Sequence, residues 1–282
     1  FRRVLFRSNP VCGDVCGTCE QGFGCEDGRC VELAIEQEMI TIPAGQFWMG
    51  CDEDVDSDCQ TRELPHHLVN LSEYQIDKME VTLSQYADCV NASVCTEPYW
   101  DWKEGCNWGE FAKINNPVTC VDWTQAKTYC EWLGKRLPTE AEWEKAARGD
   151  DGRRYPWGNE DATCEYSNFE ESVDDGCGTG TTADVCSRSP KDDSPYGLCD
   201  MAGNVWEWVY DRYQEDYYSE SPTDNPTGPG DDTNYYNRVV RGGSFMDYWF
   251  LIRLTHRNCY FDSYIGSQAD LGFRCARTPT TP

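Results

Sequence analysis

Residues 134–144 read GKRLPTEAEWE, and this stretch joins the end of one helix to the start of the next. Gly134 suits a helix C-terminus because a residue without a Cβ tolerates the left-handed backbone found there. Thr139 can accept a hydrogen bond from the backbone of Glu142, whose side chain can accept one in return, which is a capping box. Two other pairs have the same spacing and chemistry: Thr82 with Gln85, and Asp122 with Gln125. The sequence therefore predicts three capped helices.

The second of these helices should run from Asp122 to Gly134. Apolar side chains recur along it at helical spacing and should form one buried face: Trp123, Ala126, Tyr129, Cys130 and Leu133. Strand-like runs elsewhere are short, at residues 39–47 and 238–241, and stretches rich in Gly, Pro, Asp and Asn separate them. The fold class indicated is α+β with much irregular backbone.

The charge of the chain limits its partners. Among 282 residues, 50 Asp and Glu outnumber 24 Lys and Arg, which gives a formal net charge of -26. A surface this acidic repels phosphate backbones and anionic lipid headgroups. We therefore expect no nucleic acid or membrane-surface partner, and no apolar run reaches the roughly 18 residues of a membrane span.

The cysteine content indicates an oxidising compartment. The chain has 18 cysteines, and that many thiols are hazardous unless they are paired. We therefore expect an extracytoplasmic protein, whether secreted, periplasmic or at the cell surface. No signal peptide is visible after Phe1, so we expect the native start to lie upstream.

Composition also suggests domain boundaries. Residues 5–8 match what a common sequencing-adapter string encodes, so residues 1–8 are a candidate non-native leader, with a native basic leader as the alternative. Residues 9–31 hold five cysteines among glycines and should form a small module in which cross-links replace a core. Residues 32–38 connect this module to a main domain at 39–278, and residues 279–282 are a tail.

Several short motifs follow one another along the main domain. They are IPAG at 42–45, MG at 49–50, EVT at 80–82, GKRLPTEAEWE at 134–144, YPWG at 155–158, GNVWEW at 203–208, RGGS at 241–244 and GFR at 272–274. Each motif alone is weak evidence, but the ordered set over residues 39–277 resembles the formylglycine-generating-enzyme family, also called sulfatase-modifying factors. The resemblance implies a domain distantly related to C-type lectins, with little regular secondary structure.

The resemblance also implies a disulfide and two calcium sites. The disulfide would join Cys130 to Cys275. One calcium site maps to Asn168, Asp175 and the carbonyls of Phe169 and Cys177. The other maps to Asp200, Glu207 and the carbonyls of Gly203 and Val205. Such oxygen ligands suit a hard cation; the alternative is that these acidic residues merely solvate turns.

The oxidase chemistry of the resembled family depends on two thiolates shortly after the RGGS motif. They hold copper(I), which activates oxygen to convert a substrate cysteine into formylglycine. Here Asp247 occupies the first thiolate position and Ile252 the second, and no cysteine follows until Cys259. Carboxylate and aliphatic side chains cannot replace thiolates on copper(I). We therefore expect no bound copper, assign no catalytic residue, and expect Cys259 to be a bridge partner.

Residues 247–267 have a composition suited to binding. Aromatic side chains give rigid contact area, and short polar side chains give adaptable hydrogen bonds. Arg253 and Arg257 are expected instead to tie the segment to the acidic scaffold. An unknown protein or small molecule would bind at this exposed C-terminal face. The expected face comprises Asp247, Tyr248, Trp249, Phe250, His256, Tyr260, Phe261 and Tyr264.

The codons that can encode residues 247–267 also favour a binding role for this segment. Residues 247–267 contain no Lys, Glu, Gln or Met, and apart from Trp249 each can be encoded by a codon ending in C. That pattern is expected when adenines of AAC codons are mutagenised, and it resembles the variable region of diversity-generating-retroelement target proteins, many of which use the same fold for display. A ligand-binding module is therefore the leading hypothesis. The alternatives are an oxidase of altered chemistry and a purely structural secreted domain.

Overall fold

The computed structural model describes residues 23–26, 29–32, 37–98, 105–170, 177, 180–230, 237–262 and 268–279. Its helices are α1 (Leu83–Asn91), α2 (Trp123–Trp132) and α3 (Glu140–Arg148). Its strands are β1 (Phe23–Glu26), β2 (Arg29–Glu32), β3 (Met39–Ile42), β4 (Gly45–Met49), β5 (His67–Leu71), β6 (Tyr74–Asp77), β7 (Trp206–Arg212), β8 (Asn237–Arg241), β9 (Asn258–Phe261), β10 (Leu271–Phe273) and β11 (Ala276–Arg277). The predicted α+β class with much irregular backbone is confirmed.

Every predicted helix cap is present. Thr82, Asp122 and Thr139 each close a capping box with the residue three positions on. α2 ends at Trp132, two residues before the predicted end, because the backbone of Gly134 is left-handed with φ 67°. The predicted face of α2 is buried, except that Leu133 is half-buried.

Three sheets of the main domain surround the helices. The largest has the strand order β10-β7-β8-β9, in which only β7 and β10 run parallel. A second has the order β11-β6-β3, and β4 pairs with β5. The single strand expected at residues 39–47 is therefore wrong. It divides into β3 and β4, since Pro43 has no amide to donate and cannot continue the ladder.

Two aromatic cores fix the main sheet. Tyr86 of α1 stacks on Tyr129 of α2 with ring centroids 5.7 Å apart, and Phe273 of β10 meets both rings edge-on. The second core surrounds Trp143 of α3, whose indole donates to Glu207 on β7 at 2.9 Å. Aromatic pairs such as those of Tyr86, Tyr129 and Phe273 each stabilise the fold by about 0.5–1.5 kcal/mol, in addition to the effect of burying their apolar surface. The loops that leave this sheet carry the candidate site.

Disulfides replace regular structure in the loops. The Cys130–Cys275 bridge that the resemblance implies is present, and it spans 145 residues. In the chain-entropy model, closing a loop of that length lowers the entropy of the unfolded state and so stabilises the folded protein by about 5 kcal/mol. The other bridges in the described ranges are Cys51–Cys59, Cys89–Cys95, Cys106–Cys120, Cys164–Cys177 and Cys186–Cys199.

The structure tests the bridge expected for Cys259 but describes only part of the module expected at residues 9–31. Cys259 is a free thiol among the described residues, so the bridge expected for it does not form there. The cysteine-rich module at residues 9–31 lies largely outside the described residues, although β1 and β2 pair as an antiparallel hairpin near its end. No helix in the described ranges is long and apolar enough to cross a membrane.

Buried arginines hold the segment that follows β8. Arg253 donates to Glu63 at 2.8 Å and to Asp56 at 2.8 Å. Arg257 donates to the two carboxylate oxygens of Glu140 at 2.6 and 2.8 Å. Both arginines are fully buried, which confirms that they tie the segment to the acidic scaffold. Burial acts to raise the pKa of Glu63, but hydrogen bonds from His256 and Arg253 lower it to about 2.

Candidate functional site

The RGGS motif forms a tight turn between β8 and an exposed loop. Arg241 anchors the turn through an ion pair with Glu144 and a 2.9 Å hydrogen bond to the carbonyl of His256. A Cβ at Gly243, where φ is 71°, would lie 2.6 Å from the side chain of Ile252. Only glycine fits that close approach, so no larger residue can occupy position 243. This restricts the backbone conformation of the turn, and Ser244 follows directly after it.

Ser244 lies between two carboxylates. Its Oγ is 2.5 Å from Oδ2 of Asp247 and 3.0 Å from Oδ2 of Asp270. A hydroxyl has one proton, so it cannot donate to two ionised carboxylates at once. All three groups are satisfied together when one of the two acids is protonated and donates to the serine oxygen.

The environment of Asp247 favours that proton. Burial raises its pKa from 3.8 to about 6, with the charge of Asp270 adding to the effect, although hydrogen bonds from Ser244 oppose it. Burial also raises the pKa of Asp270. The residue at the first thiolate position is therefore a half-buried carboxyl group turned toward Ser244.

The residues that the family resemblance assigns to the two thiolate positions, Asp247 and Ile252, have no sulfur atom. The side chain of Ile252 is fully buried in the core around Trp143. Cys259 lies on β9, where the Asn237 amide donates to its sulfur at 3.5 Å. Burial raises the pKa of the Cys259 thiol, which keeps it protonated at neutral pH. Among the described residues there is no second free thiol with which it could form a copper site.

The loop after the turn exposes an aromatic surface, here called the aromatic shelf and comprising Tyr248, Trp249 and Phe250. Tyr248 is 37% exposed and Trp249 is 40% exposed, and Phe250 lies half-buried between them. The ring of Phe250 stacks on Tyr248 at 6.0 Å and meets Trp249 edge-on at 5.5 Å. The shelf is thus a continuous surface of three rings.

Neighbouring side chains extend and fix the aromatic shelf. The guanidinium of Arg154 lies 5.0 Å from the ring of Trp249, and the Tyr155 hydroxyl donates to the Trp249 carbonyl at 3.1 Å. Beside them, Trp157 stacks between Tyr155 and Tyr166, with centroids 4.9 and 5.1 Å apart. The YPWG motif thereby supplies a second aromatic layer next to the shelf.

Other residues of the expected binding face lie elsewhere. His256 is wrong as a surface residue: it is 1% exposed, because its carbonyl accepts from the buried Arg241 at 2.9 Å and its Nδ1 lies 3.2 Å from Glu63. Tyr260 is half-buried and meets Trp208 edge-on. Phe261 is exposed at the end of β9, and Tyr264 lies outside the described residues.

The first predicted calcium site is only partly described. Asp175 lies outside the described residues. The amide nitrogen of Asn168 donates to the Thr181 carbonyl at 3.0 Å, and the Phe169 carbonyl accepts the Cys177 amide at 3.1 Å. The site therefore stays a prediction.

At the second predicted calcium site the two acidic residues have different partners. Glu207 accepts from Arg274 through both oxygens at 2.7 and 2.8 Å, and also from Trp143. Asp200 lies instead beside the buried carboxylates of Glu80 and Asp192. Burial raises the pKa of all three, that of Asp192 to about 7. These three form a cluster of buried carboxyl groups.

Sequence reasoning missed Glu80, Asp192 and Asp270 as site residues. Glu80 was available as a signal, because it opens the EVT motif, and Asp270 lies two positions before the GFR motif. Asp192 stands in a loop without any recognisable pattern. Its position became evident only from the fold.

Comparison with known proteins agrees with this architecture. A family model described as the Sulfatase-modifying factor enzyme 1-like domain matches residues 30–279. The formylglycine-generating enzyme of Thermomonospora curvata is 36% identical, over 87% of this chain and 95% of its own. The structure of PvdO from Pseudomonas aeruginosa aligns with a TM-score of 0.73 and 28% identity, over 86% of this chain and 95% of that one. Treponema denticola variable protein 1 aligns with a TM-score of 0.64 and 25% identity, over 86% and 95%.

Proposed function

The chain belongs to the family of the Sulfatase-modifying factor enzyme 1-like domain, and from this membership we propose that it is an exported, calcium-stabilised binding module that takes its ligand on the aromatic shelf. The proposal rests on the exposure of two side chains, Tyr248 at 37% and Trp249 at 40%. They lie on a loop whose backbone is held in place by neighbouring residues. Aromatic rings presented on a rigid frame are typical of binding hot spots. The ligand is a protein or small molecule of unknown identity.

The shelf backbone is held independently of its rings. The amide of Glu170 donates to the Asp247 carbonyl at 2.8 Å, and Tyr155 donates to the Trp249 carbonyl. Arg253 fixes the end of the loop by donating to the Phe250 carbonyl at 2.9 Å. A loop ordered before binding loses little conformational entropy on binding, which favours affinity.

An oxidase with an altered site is the second candidate, favoured by the 36% identity to the Thermomonospora curvata enzyme. Copper(I) chemistry would need two thiolates, and Asp247 and Ile252 supply none. The carboxyl group of Asp247 instead offers a hydrogen-bond donor or acceptor at the edge of the shelf. A polar group beside exposed rings suits ligand recognition.

Export and display have separate support. The six disulfides of the described ranges persist only in oxidising surroundings. The likeness to Treponema denticola variable protein 1 and the codon pattern of residues 247–267 favour a display protein whose sequence varies at the shelf. The fixed scaffold beneath would tolerate such variation.

A paired binding screen tests the proposed function. Wild-type protein and the Trp249→Ala variant would be applied to the same glycan and peptide arrays in buffer containing calcium. We expect features bound by the wild type to lose most of their signal with the variant, because central aromatic side chains dominate interface energies. Trp48→Ala serves as the matched control, since Trp48 is an exposed tryptophan on β4. Equal binding by all three proteins would refute the shelf as the binding surface.

A further inference from the structure

A cleft of about 810 Å³ opens beside the segment that leads into β5. Its walls come from three segments: residues 51–54 after β4, residues 61–66 before β5, and residues 215–219 after β7. A volume of this size is typical of ligand-binding pockets. Five of the side chains that line it are acidic, and it is here called the acidic cleft: Asp52, Glu53, Asp54, Glu215 and Asp216.

The protein does not neutralise the negative charge of the acidic cleft. Elsewhere acids are paired with arginine, as Glu140 is with Arg257. No lysine or arginine in the described part of the chain forms an ion pair with the five acids of the cleft, and Asp52 lies 3.9 Å from Nδ1 of His66. Burial lowers the pKa of His66 more than the charge of Asp52 raises it, so the ring adds no positive charge at neutral pH.

The scaffold fixes the walls of the acidic cleft. Arg257 donates to the carbonyl of Arg62 at 2.9 Å and to that of Gln214 at 3.5 Å, which joins the wall before β5 to the wall after β7. The Cys51–Cys59 disulfide closes the loop that forms the third wall. A ligand therefore meets a cleft that is already formed, and little conformational entropy is lost on binding.

The loop from Cys51 to Cys59 also connects the acidic cleft to the aromatic shelf. Its first four residues line the cleft, and its Asp58 accepts from Arg154 at 2.6 Å. The Arg154 guanidinium in turn lies 5.0 Å from the ring of Trp249. The protein's own arginine thus shows which contact this surface offers: a cation on an aromatic ring, with a carboxylate beside it.

We propose that the ligand of the aromatic shelf is a basic polypeptide segment, and that an arginine or lysine side chain of this segment enters the acidic cleft. The inference rests on the proposed function and deepens it by naming the class of partner. The rings of the shelf contribute cation–π contacts, and the cleft contributes opposite charge. The formal net charge of -26 attracts such a segment and repels acidic ones.

The test is isothermal titration calorimetry of the intact protein with two peptide probes, in buffer containing calcium. One probe is a short peptide in which arginine alternates with glycine, and the other has citrulline in place of each arginine. Citrulline keeps the length and nearly the shape of the side chain but is neutral. We expect the wild type to bind the arginine probe at least about tenfold more tightly, and we expect this difference to shrink as NaCl rises, because salt screens exposed charges.

Two triple variants separate the acidic cleft from the overall charge. The cleft variant removes three charges from one wall: Asp52→Asn, Glu53→Gln and Asp54→Asn. The control variant removes three charges from exposed acids elsewhere, so both have the same net charge: Glu73→Gln, Glu97→Gln and Asp184→Asn. We expect the cleft variant to bind the arginine probe at least about tenfold more weakly than the wild type, and the control variant to stay within about twofold of it.

The structure of the loop should survive these changes. The Asp54 amide donates to Oδ1 of Asp52 at 3.0 Å, and asparagine at position 52 retains an oxygen that can accept this hydrogen bond. Equal melting temperatures of the two triple variants check that the loss of binding is not a loss of folding.

Trp249→Ala should also weaken binding of the arginine probe, because the shelf and the cleft hold one ligand. The inference is overturned if both triple variants lose affinity equally, since attraction by net charge alone would then explain the binding. Equal binding of the two probes, or no binding of either, overturns it as well. A Trp249→Ala variant that binds the arginine probe as the wild type does would show that the cleft and the shelf do not share a ligand.

Failure of this inference is distinguishable from failure of the proposed function. In the array screen, uncharged features whose binding depends on Trp249 would support the shelf as the binding surface and overturn the basic partner. Array features bound equally by the wild type and the Trp249→Ala variant would refute the shelf itself.

Discussion

The hydroxyl of Ser244 lies 2.5 Å from the carboxylate of Asp247, the residue that the family resemblance assigns to the first thiolate position. Asp270 flanks the same hydroxyl on its other side at 3.0 Å. Two acids therefore flank one serine hydroxyl. A proton shared among the three groups satisfies this hydrogen-bond geometry.

Asp247→Asn should stabilise the protein at neutral pH. Because burial raises the folded-state pKa of Asp247 to about 6, the stability that the protonated acid provides is complete below pH 4 and is lost as the pH rises through 6. Asparagine mimics the protonated acid at every pH. Chemical denaturation should show the variant gaining up to about 2–3 kcal/mol over the wild type at pH 7.5.

The same comparison at pH 4 provides the control for this prediction. There the wild-type acid is already protonated in the folded protein, so the difference between the two proteins should nearly vanish. A stability difference that is the same at pH 4 and pH 7.5 would show that Asp247 does not titrate in this interval.

Truncating the aromatic shelf should cost little stability. Trp249→Ala removes the contact of the ring with Arg154 and its edge-on contact with Phe250, and we expect a loss of about 1 kcal/mol. Phe273→Ala is the contrasting variant, because Phe273 is fully buried between α1 and α2, and its truncation should cost about 3–5 kcal/mol. Differential scanning calorimetry measures both.

The two variants together decide whether the shelf is a surface or part of the core. If Trp249→Ala lowers the melting temperature as much as Phe273→Ala does, the indole supports the fold and is not available to a ligand. Tyr260→Ala should fall between them, since Tyr260 is half-buried against Trp208.

Arg253→Ala should destabilise the protein by about 3–5 kcal/mol. The substitution leaves the Glu63 carboxylate buried without its arginine partner and leaves Asp56 with Arg154 alone. The double variant Arg253→Met with Glu63→Gln should recover part of this loss, because it removes the orphaned charge as well. Lys127→Ala, which breaks the exposed pair with Glu131, should change stability only slightly.

Local signals predicted much of this fold. The capping boxes at Thr82, Asp122 and Thr139 depend on residues three positions apart, so the sequence alone contains them. The Cys130–Cys275 bridge joins positions 145 residues apart, and only the family resemblance could indicate it. His256 was misplaced because a short polar and aromatic segment does not reveal which of its side chains turn inward.

Long-range electrostatics limited the prediction of the candidate site. Glu80 and Asp192 are 112 positions apart in the sequence, as their numbers show, and no periodicity relates them. The contact between Arg274 and Glu207 likewise depends on the parallel pairing of β7 with β10. Which acids cluster together and which one pairs with an arginine is decided by packing rather than by local pattern.

The central claim, that this family member binds a ligand and has lost the copper oxidase site, is tested most directly by titrating the protein, with its disulfides intact, with copper(I) against a chelator of known affinity. Two thiolates are required for tight copper(I) binding, and Asp247 and Ile252 provide none. We predict no stoichiometric binding and no conversion of a sulfatase-type cysteine peptide to formylglycine. One tightly bound copper(I) per chain, with peptide turnover exceeding that of a Cys259→Ser variant, would contradict the account.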